Sequence, residues 1–534
     1  MGNLIRVDTP NGIINEEVDG EGYHYEYDHM DRLMSIKNPL GFVQRSLRDS
    51  KGNLIKRIDR NGNNQDRSYN IDGNITLLEA YKKDKENKLN VVRQQLEYNP
   101  DGTLSSAVFN NIEGLLKRKS VSGKTLLEYT YDKNNNLKTI QDENDNIQAQ
   151  YEYFGNDNIK SVTLGNGVKT EYSYDGDGNV ASLVTVTSSG EVLVDYNYAY
   201  DLNGNRLNKV SSKYKNYYSY DSMNRLVNSS YDNRKESFTY DKVGNRLTKT
   251  TNNITKKYVY NVKNQLKELH HKDGVSFFTY DRQGNTLKEE TAQGTNSFEY
   301  NTLNQQVKAI TKDGNTLVNR YDAEGLRDEI EENEKLSRFI FHNDEVLVET
   351  DENDNAVSRF IRGYDVVAAD IQDNRYYYSV DEQGSTQFIT DGTGKVRNKY
   401  RYDAFGNVLE SREDIHNRIT YTGQQFDNVT QQYYLRARFY NPVIGRFTQE
   451  DEYRGDGLNL YAYCENNPVI YYDPSGYRRA TEIDSSKVND QNVMNIISKY
   501  TKGTNILPTE QSDVEEFFDN MSNEEFRLYF LIEK

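Results

Sequence analysis

Tyr200-Asp201-Leu202-Asn203-Gly204-Asn205-Arg206-Leu207 decides how this chain is read. Twenty residues on stands Tyr220-Asp221-Ser222-Met223-Asn224-Arg225-Leu226, and twenty further Tyr240-Asp241-Lys242-Val243-Gly244-Asn245-Arg246-Leu247. The tyrosine returns at Tyr260, Tyr280, Tyr300 and Tyr321, at spacings of 20, 20, 20 and 21, each time followed by Asp or Asn. A fixed period near twenty residues marks a repeat architecture. Within one period, Tyr218 and Tyr220 point to the same side of a strand. Asp221-Ser222-Met223-Asn224 has turn chemistry, and Arg225-Leu226-Val227 starts the return strand. Each repeat is therefore one hairpin, and stacked hairpins make one long antiparallel sheet. One face is expected to carry Tyr and Leu, the other Lys, Asn, Ser and Glu. Such a sheet must curl or spiral on itself to bury its apolar face.

The composition suits that scheme. In an average chain, 35% hydrophobic residues and a mean hydropathy of −0.94 would suggest disorder. The 44 Tyr and 19 Phe argue otherwise, because aromatic residues are strand formers with large packing surfaces. A net charge of −17 argues against nucleic-acid or anionic-membrane binding by the shell. No apolar run approaches the roughly 18 residues of a membrane span. Met1-Gly2-Asn3-Leu4-Ile5-Arg6 lacks the basic-then-apolar pattern of a signal peptide. The single Cys464 excludes an intrachain disulfide and reads as a small buried hydrophobe. Phosphate loops, zinc spacings, nucleophile elbows and dinucleotide fingerprints are absent from the sequence, so no cofactor is expected. Asp175-Gly176-Asp177-Gly178-Asn179 mimics part of a calcium loop. It sits where a repeat turn belongs and lacks the closing Glu, so a turn is expected.

The repeat continues upstream with looser spacing, at Tyr27-Asp28, Tyr69-Asn70, Tyr98-Asn99, Tyr131-Asp132 and Tyr174-Asp175. The chain opens in mid-repeat: Gly2-Asn3-Leu4-Ile5 with Gly12 matches Gly52-Asn53-Leu54-Ile55 with Gly62. The expectation is a C-terminal piece of a longer array or the product of a broken or internally started gene; a cap that mimics half a repeat is the alternative. After Tyr321 the rhythm fades, and Pro442, Pro468 and Pro474 read as turn formers. After Gly476 the pattern ends. Helices are expected from Asp490 to Tyr500 and from Ser512 to Glu533, the second with Asp513, Glu515 and Glu516 in its first turn.

From Tyr376 to Tyr477 a run of landmarks appears in order. It includes Gly384-Ser385-Thr386, Tyr402-Asp403-Ala404-Phe405-Gly406 and Tyr421-Thr422-Gly423-Gln424. It continues through Tyr433-Tyr434-Leu435-Arg436-Ala437-Arg438-Phe439-Tyr440-Asn441-Pro442, Gly445-Arg446-Phe447 and Leu458-Asn459-Leu460-Tyr461. It closes with Asn466-Asn467-Pro468-Val469 and Asp473-Pro474-Ser475-Gly476. These residues resemble the Rhs-repeat-associated core, and the repeats resemble the YD repeats of Rhs proteins, wall-associated proteins, Tc toxin C subunits and teneurins. The resemblance covers nearly all of residues 1–477.

The resemblance implies an all-β fold: a spiral antiparallel β-cocoon over residues 1–372, an Rhs core closing one end over 373–477, and a variable tail over 478–534 with a small α-helical character. About 370 repeat residues are few for a full cocoon, which leaves an incomplete shell open. In several relatives the core is an aspartyl autoprotease that cuts just past Asp-Pro-x-Gly and frees a C-terminal toxin held inside. Carried over by motif, the catalytic residues are Arg438, Asp451 and Asp473. One carboxylate would stay protonated while the other activates water, and Arg438 would hold a carboxylate ionised or stabilise the oxyanion. The same three residues would equally make a buried ion-pair and turn network that closes the shell. This chain departs from the pattern in three places: Gln449-Glu450-Asp451-Glu452 replaces Pro-Asp-Pro, the loop to Leu458 is one residue short, and Tyr477 replaces Leu or Trp.

The implied function is a secreted or cell-surface shell of a bacterial polymorphic-toxin or wall-associated system. Its implied partners are its own C-terminal segment as cargo, and an immunity protein or a missing N-terminal shell portion. Residues 478–534 hold no His or Cys, and eleven acidic against seven basic residues. They show no catalytic constellation. The alternatives are a non-enzymatic surface or adhesion module and a truncated gene fragment.

Overall fold

The computed structural model describes residues 6–7, 23–71, 75–83, 89–98, 104–110 and 127–481, apart from single positions and short stretches within turns. The helices expected from Asp490 to Tyr500 and from Ser512 to Glu533 lie outside the described residues. Met1–Arg479 forms one compact unit and Ala480 opens a second.

Within each sheet of the first unit, strands follow one another in sequence order, each antiparallel to its neighbour. A nine-stranded sheet runs from Arg6–Val7 to Leu104–Asn110, and a 28-stranded sheet from Leu127–Tyr131 to Val408–Glu413. The larger sheet continues from Val366–Ile371 to Asn374–Val380 as paired antiparallel neighbours. A four-stranded sheet, Gln425–Asp427, Gln432–Tyr434, Phe439–Asn441 and Arg446–Phe447, belongs to the closing segment. The fold is all-β and dominated by one long antiparallel sheet, as the repeat predicts.

The period has a direct physical basis. Four successive repeat tyrosines donate their hydroxyls to a carbonyl at the start of the preceding return strand. Tyr220 reaches Arg206, Tyr240 reaches Leu226, Tyr260 reaches Arg246 and Tyr280 reaches Leu266, at 2.7, 2.8, 2.9 and 3.0 Å. Burial pushes the Tyr240 hydroxyl up to about 12, so it remains a donor. The following Asp closes the turn: Asp201 Oδ1 accepts the N–H groups of Asn203 and Asn205, both at 2.9 Å. The fourth turn position takes positive φ, at Gly204, Asn224, Gly244 and Asn264 (78°, 60°, 83° and 62°), where Gly and Asn are the tolerated residues. Asp175 caps its turn the same way, accepting from Asp177 and Asn179. Replacing Tyr220, Tyr240, Tyr260 and Tyr280 by Phe should remove four hydrogen bonds of about 0.5–1.5 kcal/mol each. A fall in urea midpoint corresponding to about 2–6 kcal/mol is the expected outcome.

The expected division of faces needs correction. Five residues after the repeat Asp or Asn, the side chain points into the core, and this position reads Arg206, Leu226, Arg246, Leu266, Thr286, Gln306 and Arg327, all buried. Leu207 and Leu247, one residue on, are exposed. The cause is a β-bulge: Ser219 pairs with Asn228 but Tyr220 with Leu226, so Val227 is skipped, and the same shift recurs at Tyr200, Tyr240, Tyr260, Tyr280 and Tyr300. Bulges add twist and bend a sheet. Buried arginines are accommodated by aromatic faces: Arg246 lies 4.1 Å from the Phe405 ring centroid and Arg327 4.3 Å from that of Tyr434.

The bent sheet returns on itself. Tyr151 meets Tyr364 edge-on with centroids 5.5 Å apart, Phe238 packs on Phe405 at 5.3 Å, and Lys209 pairs with Asp381 at 3.0 Å. Strands near 140–240 thus lie against strands near 360–405, and the aromatic faces bury each other.

Candidate active site

The closing segment is built to sit on a row of repeat turns. Asn459 donates to Asn245 Oδ1 and Asn467 to Asn205 Oδ1, both at 2.9 Å. Asn466 donates to the Gly244 carbonyl at 2.9 Å and Tyr461 to that of Gly284 at 2.8 Å. Gln449 donates to the Asn304 carbonyl at 2.7 Å. The Asn-rich landmarks of residues 458–467 therefore read turns spaced twenty or forty residues apart. Periodic turns offer identical polar groups at regular intervals, and side-chain amides can both donate to and accept from them.

Between the strands Gln432–Tyr434 and Phe439–Asn441, the chain turns sharply at Leu435-Arg436-Ala437-Arg438, with Arg436 at φ 61°. The three residues after Leu435 hold three successive carbonyls of the Asp-Pro-x-Gly turn. Arg436 Nη1 donates to the Pro474 carbonyl at 2.7 Å, the Ala437 N–H to the Ser475 carbonyl at 3.1 Å, and Arg438 Nε to the Gly476 carbonyl. The turn is shaped by Asp473, whose Oδ1 accepts the N–H groups of Ser475 and Gly476 at 3.0 and 2.7 Å.

Arg438 also gathers the carboxylates. Its Nη2 lies 2.8 Å from Asp451 Oδ2 and 3.8 Å from Asp473 Oδ2. Nη1 donates to the Leu460 carbonyl at 3.1 Å, and the guanidinium stacks on Phe447, 3.6 Å from the ring centroid. Asp451 is fixed at both ends: its N–H donates to Leu460 and its Oδ1 accepts from the Tyr453 N–H at 2.8 Å. Arg438, Asp451 and Asp473 are all buried. The structure thus brings the three motif-derived residues together on Arg438, which also donates to the Gly476 carbonyl. Tyr477, immediately beyond, is exposed. Cys464 is buried among Tyr421, Tyr440 and Tyr463.

Sequence reasoning missed Arg436, one of the three holds on the turn, and the partners of Glu450 and Glu452. Arg436 stood in the quoted motif, but nothing in the spacing marks it as turned back toward Pro474. Its positive φ is unusual for a long side chain.

The Teneurin YD-shell family model matches residues 110–193 and 205–469, well over half the chain. The chain belongs to the teneurin YD-shell family. Among its YD-shell relatives, the tRNA nuclease WapA of Bacillus subtilis strain 168 is 36% identical over 170 residues, 30% of this chain and 7% of the nuclease. The toxin protein Tse5 of Pseudomonas aeruginosa is 33% identical over 101 residues, 19% of this chain and 8% of the toxin. This chain therefore spans a small fraction of those relatives' length. The crystal structure of TcdB2-TccC3-Cdc42 shares the fold with a TM-score of 0.67 and 16% identity, over 91% of this chain and 30% of that one. The Photorhabdus luminescens Tc holotoxin pore gives a TM-score of 0.67 at 15% identity, with the same coverage. The chain is thus a YD-shell relative of polymorphic toxins. Among the described residues, no helix is long and apolar enough to cross a membrane.

Proposed function

We propose that this YD shell holds its own C-terminal segment as cargo and releases it by cutting itself just past Gly476. The protein would act outside the producing cell, in a toxin-delivery system with an immunity protein as its natural companion. The observation that carries the reading is the convergence of Arg438, Asp451 and Asp473 on the turn that precedes the cargo, with the Gly476 carbonyl held by Arg438.

The chemistry balances with water alone. The ionised Asp451 takes a proton from water as the water oxygen bonds to the Gly476 carbonyl carbon. Arg438 stabilises the resulting oxyanion. Asp473, protonated, gives its proton to the Tyr477 nitrogen as the C–N bond breaks, leaving a new carboxyl at Gly476 and a new amine at Tyr477. The like charge of the two carboxyls keeps one of them protonated while Arg438 holds the other ionised. The same chemistry one bond further on would give the fragment 478–534. A second reading has its own support. Asp473 Oδ1 is engaged by two backbone N–H groups, as in an ordinary turn cap, so the cluster would then close the shell without reacting.

Asp451→Asn should leave a folded, uncut chain, because the amide keeps the size and loses the base. Asp351→Asn, which alters an exposed repeat turn of the same kind, should be cut like wild type. Gel analysis of the purified proteins checks both; equal cutting of wild type and Asp451→Asn would remove Asp451 from the reaction.

A further inference from the structure

Asp451 is flanked by Glu450 and Glu452, and both carboxylates are taken by arginines of the N-terminal nine-stranded sheet. Arg57, in the strand Leu54–Ile58, grips Glu452 with two parallel bonds, Nη1 to Oε2 and Nη2 to Oε1, each 3.0 Å. Arg60, just past that strand, places Nη1 2.8 Å from Glu450 Oε1, where the Tyr23 hydroxyl also donates at 3.2 Å. Lys263, from the 28-stranded sheet, meets Glu450 Oε2 at 3.0 Å. Arg60 is itself fixed, since its N–H and Nε both donate to Gln283 Oε1, at 2.8 and 3.1 Å.

These pairs differ in depth. Glu450 is 2% exposed, and a carboxylate at that depth is costly unless paired. Arg57 is largely covered, and Glu452 is half exposed. Left unpaired, either glutamate would place a negative charge beside Asp451 and compete for Arg438. The closing segment therefore carries two charges met by arginines some 390 positions upstream, with Lys263 sharing the Glu450 carboxylate.

We propose that Arg57 and Arg60 are positioning residues that pin the Asp451 loop, so that the N-terminal sheet completes a site whose reacting groups all belong to the closing segment. The consequence for cutting rests on the autoproteolytic reading above; the pinning itself does not. Mechanically, the pins act through Glu450 and Glu452 on the Asp451 N–H and the Tyr453 N–H, whose bonds to Leu460 and to Asp451 fix the loop.

Hydrogen exchange of the full-length chain measures the pinning, since local opening is read amide by amide. In Arg57→Gln/Arg60→Gln, the amides of residues 450–453 should exchange at least about tenfold faster, with strands 206–260 unchanged. In the same variant, cutting should slow at least about tenfold, because small misplacements of reacting groups are costly. Arg60→Lys keeps the charge at a one-point contact, so it should cut within about threefold of wild type while Arg60→Gln does not. Unchanged exchange at 450–453 would overturn the proposal, as would a loss of protection spread through the whole wall. With a wild type that cuts, an unchanged cutting rate in Arg57→Gln/Arg60→Gln would overturn it too. A folded wild type that does not cut, together with the expected exchange change, would leave the pinning standing and remove the autoproteolytic reading instead.

Discussion

Arg327→Ala, made in the uncut Asp451→Asn chain, is expected to cost about 3–5 kcal/mol, the price of breaking a buried ion pair from one side. Arg327 and Asp427 are both fully buried and joined by two bonds, Nη1 to Oδ2 at 2.6 Å and Nη2 to Oδ1 at 2.9 Å. Nη2 also serves Gln425 at 2.8 Å, and the Arg327 N–H donates to the Tyr434 hydroxyl at 3.0 Å. Truncating the arginine leaves Asp427 charged with no cation in a closed site. It also leaves a void over the Tyr434 ring. Arg327→Met/Asp427→Leu removes both charges and fills the space, so it should recover much of the loss. Urea unfolding of the three chains checks this. The pair moors the strand Gln425–Asp427 to the repeat wall, and the Arg327 N–H holds Tyr434 in the neighbouring strand, four residues before Arg438. In a cutting background, Arg327→Ala should therefore also slow release.

Gly476→Ala should stop release with a much smaller effect on the wall. Gly476 has φ 79°, and a Cβ there would lie 2.5 Å from the Leu435 carbonyl oxygen and 2.9 Å from the Arg438 nitrogen. Those atoms are backbone, so the turn must move rather than a side chain. Moving it breaks the three-carbonyl grip of residues 436–438. A displacement near 1 Å at a reacting centre costs about a hundredfold in rate. Gly314→Ala supplies the control, because it has nearly the same φ, 82°, with nothing within 4 Å of the added Cβ. It should cost about 1–2 kcal/mol of local strain and leave cutting intact. Time courses of release for the two variants separate conformational strain from the clash at the site. Equal rates in both would mean the grip on Asp473-Pro474-Ser475-Gly476 is not needed.

The sequence carried the repeat because its chemistry is local. A tyrosine reaching a carbonyl about fourteen residues back and an Asp capping its own turn both leave a fixed period. The bulge at Leu207, Val227 and Leu247 leaves no comparable trace, so the sequence did not show that Leu207 and Leu247 face outward while Arg206 and Arg246 face the core. Arginine at the inward position looked polar, and only the neighbouring rings of Phe405 and Tyr434 explain why it is buried. Arg438 and Asp473 could be located because each belongs to a short landmark, and Asp451 because it lies shortly after Gly445-Arg446-Phe447. Arg57 and Arg60 could not, since nothing near them in the chain signals Glu450 and Glu452. Contacts across nearly 400 residues appear only once the sheet has folded back.

The central claim is that the closing segment cuts its own chain just past Gly476. The most direct measurement is the intact mass, in denaturant, of the purified wild-type chain. The account predicts two species, a shell ending at Gly476 or Tyr477 and a C-terminal fragment of roughly 6–7 kDa, the size of a small domain. A single folded, uncut chain of 534 residues would contradict it.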